Sequence, residues 1–141
     1  MPNQCKEFTT MEQDKQGPFA IRSKIWFQDA AGEVIFGLGR LKMLEAIQRL
    51  GSIQAAAKEL KMSYRAMWGR ITATENRMGR QLLTRSIGGS SGGGSQLTPF
   101  AENLLRIYKD IHSQIAAEAD RLFEQEIIPH ICPSDDEKAE G

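Results

Sequence analysis

Residues 51–79, GSIQAAAKELKMSYRAMWGRITATENRMG, decide the fold. Their spacing predicts two short helices joined by a tight turn. Ser52 is placed to cap the first, since a Ser hydroxyl accepts a bond from an unpaired first-turn N–H. Ile53, Ala56, Ala57 and Leu60 then recur at helical spacing. The alanines let a second helix cross closely. Leu60-Lys61-Met62 makes the turn, with Met62 available to plug the junction, and Ser63 caps the second helix. Met67, Ile71, Thr74 and Met78 form the inward stripe of that helix. Tyr64, Arg65, Trp68, Gly69 and Thr72 form the opposite one. A face that is basic, aromatic and rich in small residues suits a partner. In a helix-turn-helix the second helix enters the DNA major groove, which is wide enough for one α-helix. Arg65 could reach base edges or a phosphate, and first-turn N–H groups favour a phosphate. Periodicity alone equally fits an ordinary helical hairpin with a solvated outer face.

Upstream, Lys24–Phe27 and Glu33–Phe36 are β-prone runs around the turn-forming Asp29-Ala30-Ala31-Gly32, so a β-hairpin is expected over 21–36. Trp26 and Phe27 suit the core or an interface, with core or edge-covering packing expected. A helix then carries Leu41, Leu44, Ile47 and Leu50 as its apolar stripe with Met43 beside it. Arg40, Lys42, Glu45, Gln48 and Arg49 mostly face water, and Gly51 is a C-cap candidate.

Downstream, Gln81–Arg85 reads as a strand, and Gln96-Leu97-Thr98 returns as a second. Thr98 caps a long helix with Pro99 at its first position, where the missing N–H is no loss. Phe100, Leu104, Leu105, Ile107, Ile111, Ile115, Leu122 and Phe123 are its apolar positions. It is expected to end near Gln125, with Pro129 and Pro133 stopping it. The order is hairpin, helix, helix-turn-helix, two-stranded wing, long helix. The expected class is therefore mainly α with small β: a winged helix-turn-helix with an N-terminal hairpin and a long C-terminal helix. The boundaries are 1–20, a flexible segment; 21–126, the winged domain with its dimerisation helix; and 127–141, an acidic, disordered tail.

Formal net charge is zero over 141 residues, but the distribution is uneven. Lys61, Arg65, Arg70, Arg77, Arg80 and Arg85 face only Glu75 within 61–85, and the compensating acid lies from Asp110 onward. One or two of these arginines are expected to touch phosphates. Cys5 and Cys132 lack metal-ligand spacing and are expected to be free thiols in a reducing compartment. His112 and His130 are expected to be solvated. No run approaches the roughly 20 apolar residues of a membrane span. The N-terminus has no apolar core of a signal peptide, so the cytoplasm is expected.

The loop between the wing strands, SIGGSSGGGS from Ser86 to Ser95, is rich in glycine. A nucleotide-binding loop would need a Lys and a helix directly after it; neither is present. A floppy connection is one reading. The other is a wing whose side-chain-free backbone presses on DNA phosphates.

From about Gly39 to Asp110 the chain resembles the N-terminal domain of the ModE-like, molybdate-responsive transcriptional regulators, and more distantly the LysR-type DNA-binding domains. The resemblance rests on Leu44-Glu45-Ala46-Ile47, Gly51-Ser52-Ile53, Ala56-Ala57-Lys58, Met62-Ser63-Tyr64-Arg65, Trp68, the glycine run Gly88–Gly94, Leu97-Thr98, Leu104-Leu105 and Tyr108. Ser-Tyr-basic-x-x-Trp with a glycine-run wing is the specific part. The resemblance implies a homodimer on a roughly palindromic operator, with dimer contacts from the N-terminal elements and the long helix. Ser63, Tyr64, Arg65 and Trp68 match the family's recognition-helix motif. Family wings commonly carry a Lys where Ser90 or Ser91 stands here, which implies weaker wing–phosphate attraction. Full-length members have C-terminal oxyanion-binding domains; here only a helix and an acidic tail follow the wing, so molybdate sensing is not expected to transfer.

The expected double-stranded DNA contacts are Ser52, Ser63, Tyr64, Arg65, Trp68, Gly69, Arg70, Thr72, Arg85, Gly92 and Gly93. For Trp68, packing against the neighbouring helix and contact with DNA stay equally open; Tyr64 suits a backbone phosphate through its hydroxyl. No cofactor, metal, membrane or small-molecule effector is expected. The alternative is a winged helix that binds protein without reading DNA. An enzyme ranks last, because no acid–base pair, nucleophile–His arrangement or metal cluster is visible.

Overall fold

The structure, a computed structural model, describes residues 18–85 and 94–132. Residues 1–17 of the expected flexible start, the tip of the wing and residues 133–141 of the expected acidic tail lie outside the described residues. One compact unit spans Lys24–Asp110.

In that unit, β1 (Trp26–Gln28) and β2 (Val34–Gly37) form an antiparallel hairpin with Phe27 opposite Phe36. Asp29 makes the turn: its carboxylate Oδ1 accepts from the N–H groups of Ala31 and Glu33, both at 2.9 Å. Helix α1 (Leu38–Leu50) follows at once and buries Leu41, Met43, Leu44, Ala46 and Ile47. Leu50, expected in this stripe, is exposed at the helix end. Gly51 stops α1 in the left-handed conformation, φ 80°, and its N–H bonds the Ile47 carbonyl at 2.7 Å.

Both helices of the helix-turn-helix start as the sequence expects. Ser52 Oγ accepts from Ala55 N–H and Ser63 Oγ from Ala66 N–H, each at 3.0 Å. Helix α2 (Ile53–Glu59) buries Ile53, Ala56 and Ala57. Helix α3 (Tyr64–Met78) buries Met67, Ile71 and Thr74. Leu60, Met62 and Met78 pack partly buried against this core. Thr74 is a polar side chain at 0 % exposure. Its hydroxyl donates to the Ile35 carbonyl at 2.8 Å, which satisfies it and ties α3 to the hairpin.

The wing is β3 (Leu83–Arg85) paired antiparallel with β4 (Ser95–Leu97), Leu83 opposite Leu97. Both strands begin a residue or two from where the sequence suggests. Glu75 holds the entry, accepting from Leu82 N–H at 2.8 Å, and Ser95 N–H bonds the Gly51 carbonyl at 2.8 Å. Helix α4 (Pro99–Leu122) starts under Thr98. The Thr98 hydroxyl accepts from Ala101 N–H at 3.1 Å and donates to the Gln81 carbonyl at 2.8 Å. Thr98→Val keeps the shape and removes both bonds. It is expected to lower the unfolding free energy by about 1–2 kcal/mol, read by urea unfolding.

Phe36 is the centre of the hairpin's packing. Its ring stacks on Phe27 at 5.6 Å and meets the Tyr108 ring edge-on at 5.3 Å. The Tyr108 hydroxyl donates to the Ile25 carbonyl at 2.8 Å, and burial pushes its pKa up. Lys109 Nζ sits 2.6 Å from the Glu45 carboxylate, joining α4 to α1. Trp26 is 49 % exposed opposite Gly37, its ring N–H donating to Gln28 at 3.3 Å, and Phe27 is 37 % exposed, so neither is buried in the core.

From Ile111 on, α4 belongs to a separate unit. Ile111, Ile115 and Leu122 are exposed apolar residues along it. His112, expected to be solvated, is half-buried with its ring nitrogen 3.4 Å from the Ser23 carbonyl oxygen. The helical path also outlasts its expected end. A π-helical turn, Phe123–Ile127, leads into α5 (Ile128–Ile131). Pro129 comes directly after the π-helical turn, and the helical path continues through it to Ile131. Cys132 is disulfide-bonded, which overturns the free thiol expected there; spacing along the chain does not reveal which sulfurs folding brings together. Cys5 lies outside the described residues.

Candidate nucleic-acid interface

The outer face of α3 is where the expected contacts gather. Tyr64 is 50 % exposed and Trp68, one turn on, 38 %. Arg65, Gly69 and Arg70 are exposed beside them. Among the described residues no carboxylate lies within ion-pair distance of Arg65 or Arg70. A carbon added at Gly69 would meet nothing within 4 Å. Glycine inside a helix costs about 1 kcal/mol relative to alanine, and no packing within the fold requires it here.

The wing joins this face. The Arg85 guanidinium carbon stands 5.6 Å from the centre of the Trp68 ring, a cation–π contact between β3 and α3. Trp68 is thus a half-open platform between α3 and the wing strand. The other downstream arginines are engaged within the fold. Arg80 lies over the Phe100 ring at 4.4 Å. Arg77 donates to the Val34 carbonyl at 3.1 Å and faces the Glu33 carboxylate at 3.6 Å.

The turn before α3 is tight. Lys61 takes a left-handed conformation, φ 56°, and Met62 N–H bonds the Ala57 carbonyl at 3.0 Å. This fixes how α3 projects beyond α2.

One expected contact, Thr72, is half-buried, and its hydroxyl is shielded from solvent without a hydrogen-bond partner. The Ser52 and Ser63 hydroxyls each accept a helix-cap N–H, which leaves the O–H able to donate. Gly92 and Gly93 lie outside the described residues. Arg40 is the residue that sequence reasoning placed in water and the fold does not. It is half-buried with its Nε shielded and unpaired. Its position in the first turn of α1, on the side that meets β2 and α3, gives no signal in the apolar periodicity.

Among the described residues no group of three or more His, Cys, Asp or Glu could hold a metal ion. None of their helices is long and apolar enough to cross a membrane.

Residues 38–102 match the family of bacterial regulatory helix-turn-helix proteins of the lysR type. The chain is 39 % identical over 90 residues to the transcriptional regulator ModE of Haemophilus influenzae, covering 64 % of this chain and 35 % of that protein. It is 41 % identical over 80 residues to the molybdenum-pterin-binding protein MopB of Rhodobacter capsulatus, covering 57 % of this chain and 30 % of that protein. A solved CbnR DNA-binding domain in complex with DNA matches at 29 % identity and a TM-score of 0.47, over 59 % of this chain and 90 % of that one. The chain spans about a third of the length of the curated relatives it matches. Over residues 38–102, this chain is similar to the lysR family of bacterial regulatory helix-turn-helix proteins, and over 90 residues to ModE.

Proposed function

We propose that this chain regulates transcription by binding double-stranded DNA as a homodimer. Helix α3 lies in the major groove, and the wing runs along the backbone beside it. The single observation that carries this reading is the face on which Tyr64, Arg65, Trp68 and Gly69 stand exposed together, with Arg85 of the wing laid over Trp68. Arg65 and Arg70 supply base or phosphate contacts, Tyr64 a phosphate contact through its hydroxyl, and Trp68 and Gly69 a close-fitting surface. The functional module is residues 21–126, acting in the cytoplasm.

The dimer reading is supported by the exposed isoleucines of α4. Ile111 and Ile115, both in the second unit, stand four residues apart and exposed, a spacing suited to a second helix. Two recognition helices related by two-fold symmetry then read half-sites about one helical turn apart.

The test is selection of bound duplexes from a random DNA pool, followed by binding measurements across a salt series. A palindromic consensus is expected, with affinity falling steeply as salt rises because bound counterions are released. No enrichment, with no binding even at low salt, refutes the reading.

A further inference from the structure

Arg40 is held in an unfavourable place. Its Nε is shielded from water and has no hydrogen-bond partner. Burial first, then the positive charges of Arg77 and Arg70, hold its guanidinium below the ordinary arginine value. The three side chains therefore share one neighbourhood. Among the described residues the ion pair there is Arg77 with the exposed Glu33, so positive charge is in excess. The first turn of α1, which carries Arg40, has no acidic residue and no capping side chain.

Like charges near the half-buried Arg40 cost the fold stability, and its shielded donor without an acceptor adds to that cost. An anion drawn to the cluster would offset the repulsion. The position of the cluster says which anion. At about 100° per residue, Arg70 and Arg77 fall on the flank of α3 opposite Trp68 and the wing, with Arg65 and Gly69 between the two flanks. A helix lying in a groove has a phosphate ridge on each side. We propose that Arg40, Arg70 and Arg77 form a backbone-phosphate site on the flank of α3 away from the wing, gripping the strand that the wing does not reach. This rests on the DNA-binding reading above. It assigns Arg40, outside the helix-turn-helix, a role in it.

The experiment uses the full chain and a duplex recovered from the random pool, with affinity measured by fluorescence anisotropy over a potassium chloride series. Arg40→Gln is expected to weaken binding about tenfold on all duplexes alike and to reduce the slope of log affinity against log salt by about 1. Its base preference stays as in the wild type, and its melting temperature is equal or higher, since a repelled charge has gone. Arg70→Gln, exposed and without an ion-pair partner among the described residues, is expected to act in the same way and serves if Arg40→Gln misfolds. Wild-type affinity and slope in the variant that folds would overturn this proposal and leave the DNA reading standing. Absence of wild-type binding to any duplex would overturn both. Inorganic phosphate is a separate arm: a melting shift in the wild type that Arg40→Gln loses, with DNA binding unchanged, would make the cluster a small-anion site and overturn the proposal.

Discussion

Arg65→Glu is expected to abolish binding to a selected duplex while leaving the fold intact. Arg65 projects from the second position of α3, exposed and without an ion-pair partner among the described residues, so the fold loses no contact with it. A well-placed arginine on a base edge contributes about 1–3 kcal/mol of discrimination. Reversing its sign also sets a carboxylate against the phosphate backbone, which adds repulsion to the lost contact. Together these amount to at least about a hundredfold loss of affinity at moderate salt. The melting temperature should hardly move, because exposed substitutions away from caps and packing shift stability by roughly 0.5 kcal/mol or less. Anisotropy and thermal unfolding on the same sample separate the two effects. Undiminished binding by a folded Arg65→Glu protein would remove α3 from the interface. The protein-binding alternative predicts that outcome, since a partner held on apolar positions does not need this charge.

Phe36→Ala is the substitution expected to harm the fold most. Phe36 is fully buried, stacked on Phe27 and touched edge-on by Tyr108. It therefore joins β1, β2 and α4 through one ring. Truncation removes the ring's transfer energy and leaves a cavity, about 3–5 kcal/mol in all. The total stability of a domain is about 5–15 kcal/mol, so much of the protein would be unfolded near body temperature. For a domain of this size each kcal/mol is worth roughly 4–8 °C in melting temperature. The expected drop is about 15–30 °C, read by circular dichroism. A drop of a few degrees would mean that the hairpin does not depend on this ring. Phe36→Leu, which keeps more of the apolar volume, should recover part of the loss.

Both predictions concern residues visible before folding, yet they differ in what made them legible. Arg65 could be placed from the chain alone. The inward stripe Met67, Ile71, Thr74 and Met78 fixes the rotation of α3, and Ser63 fixes its start. Arg65 must then point away from the core. Phe36 could be recognised as β-prone, but not as the ring between Phe27 and Tyr108. Its two neighbours come from opposite ends of the winged unit.

Local sequence determined the order of elements, the caps at Ser52, Ser63 and Thr98, the stop at Gly51, and the exposed face of α3. Each of these depends on interactions within one turn or a few residues, so periodicity and capping chemistry specify them directly. Tertiary structure alone decided that Thr74 bonds the Ile35 carbonyl, 39 residues away, and that Tyr108 bonds the Ile25 carbonyl, 83 residues away. It also decided that Arg85 covers Trp68, that the Thr72 hydroxyl is shielded, and that Arg40 is half-buried with its Nε unpaired. A helical pattern states which side of each helix is apolar. It does not state which neighbour that side meets, nor what the polar residues at its border touch once the helices cross. Those contacts follow from the path of the whole chain, and the charge cluster proposed to grip the second strand exists only once that path has closed.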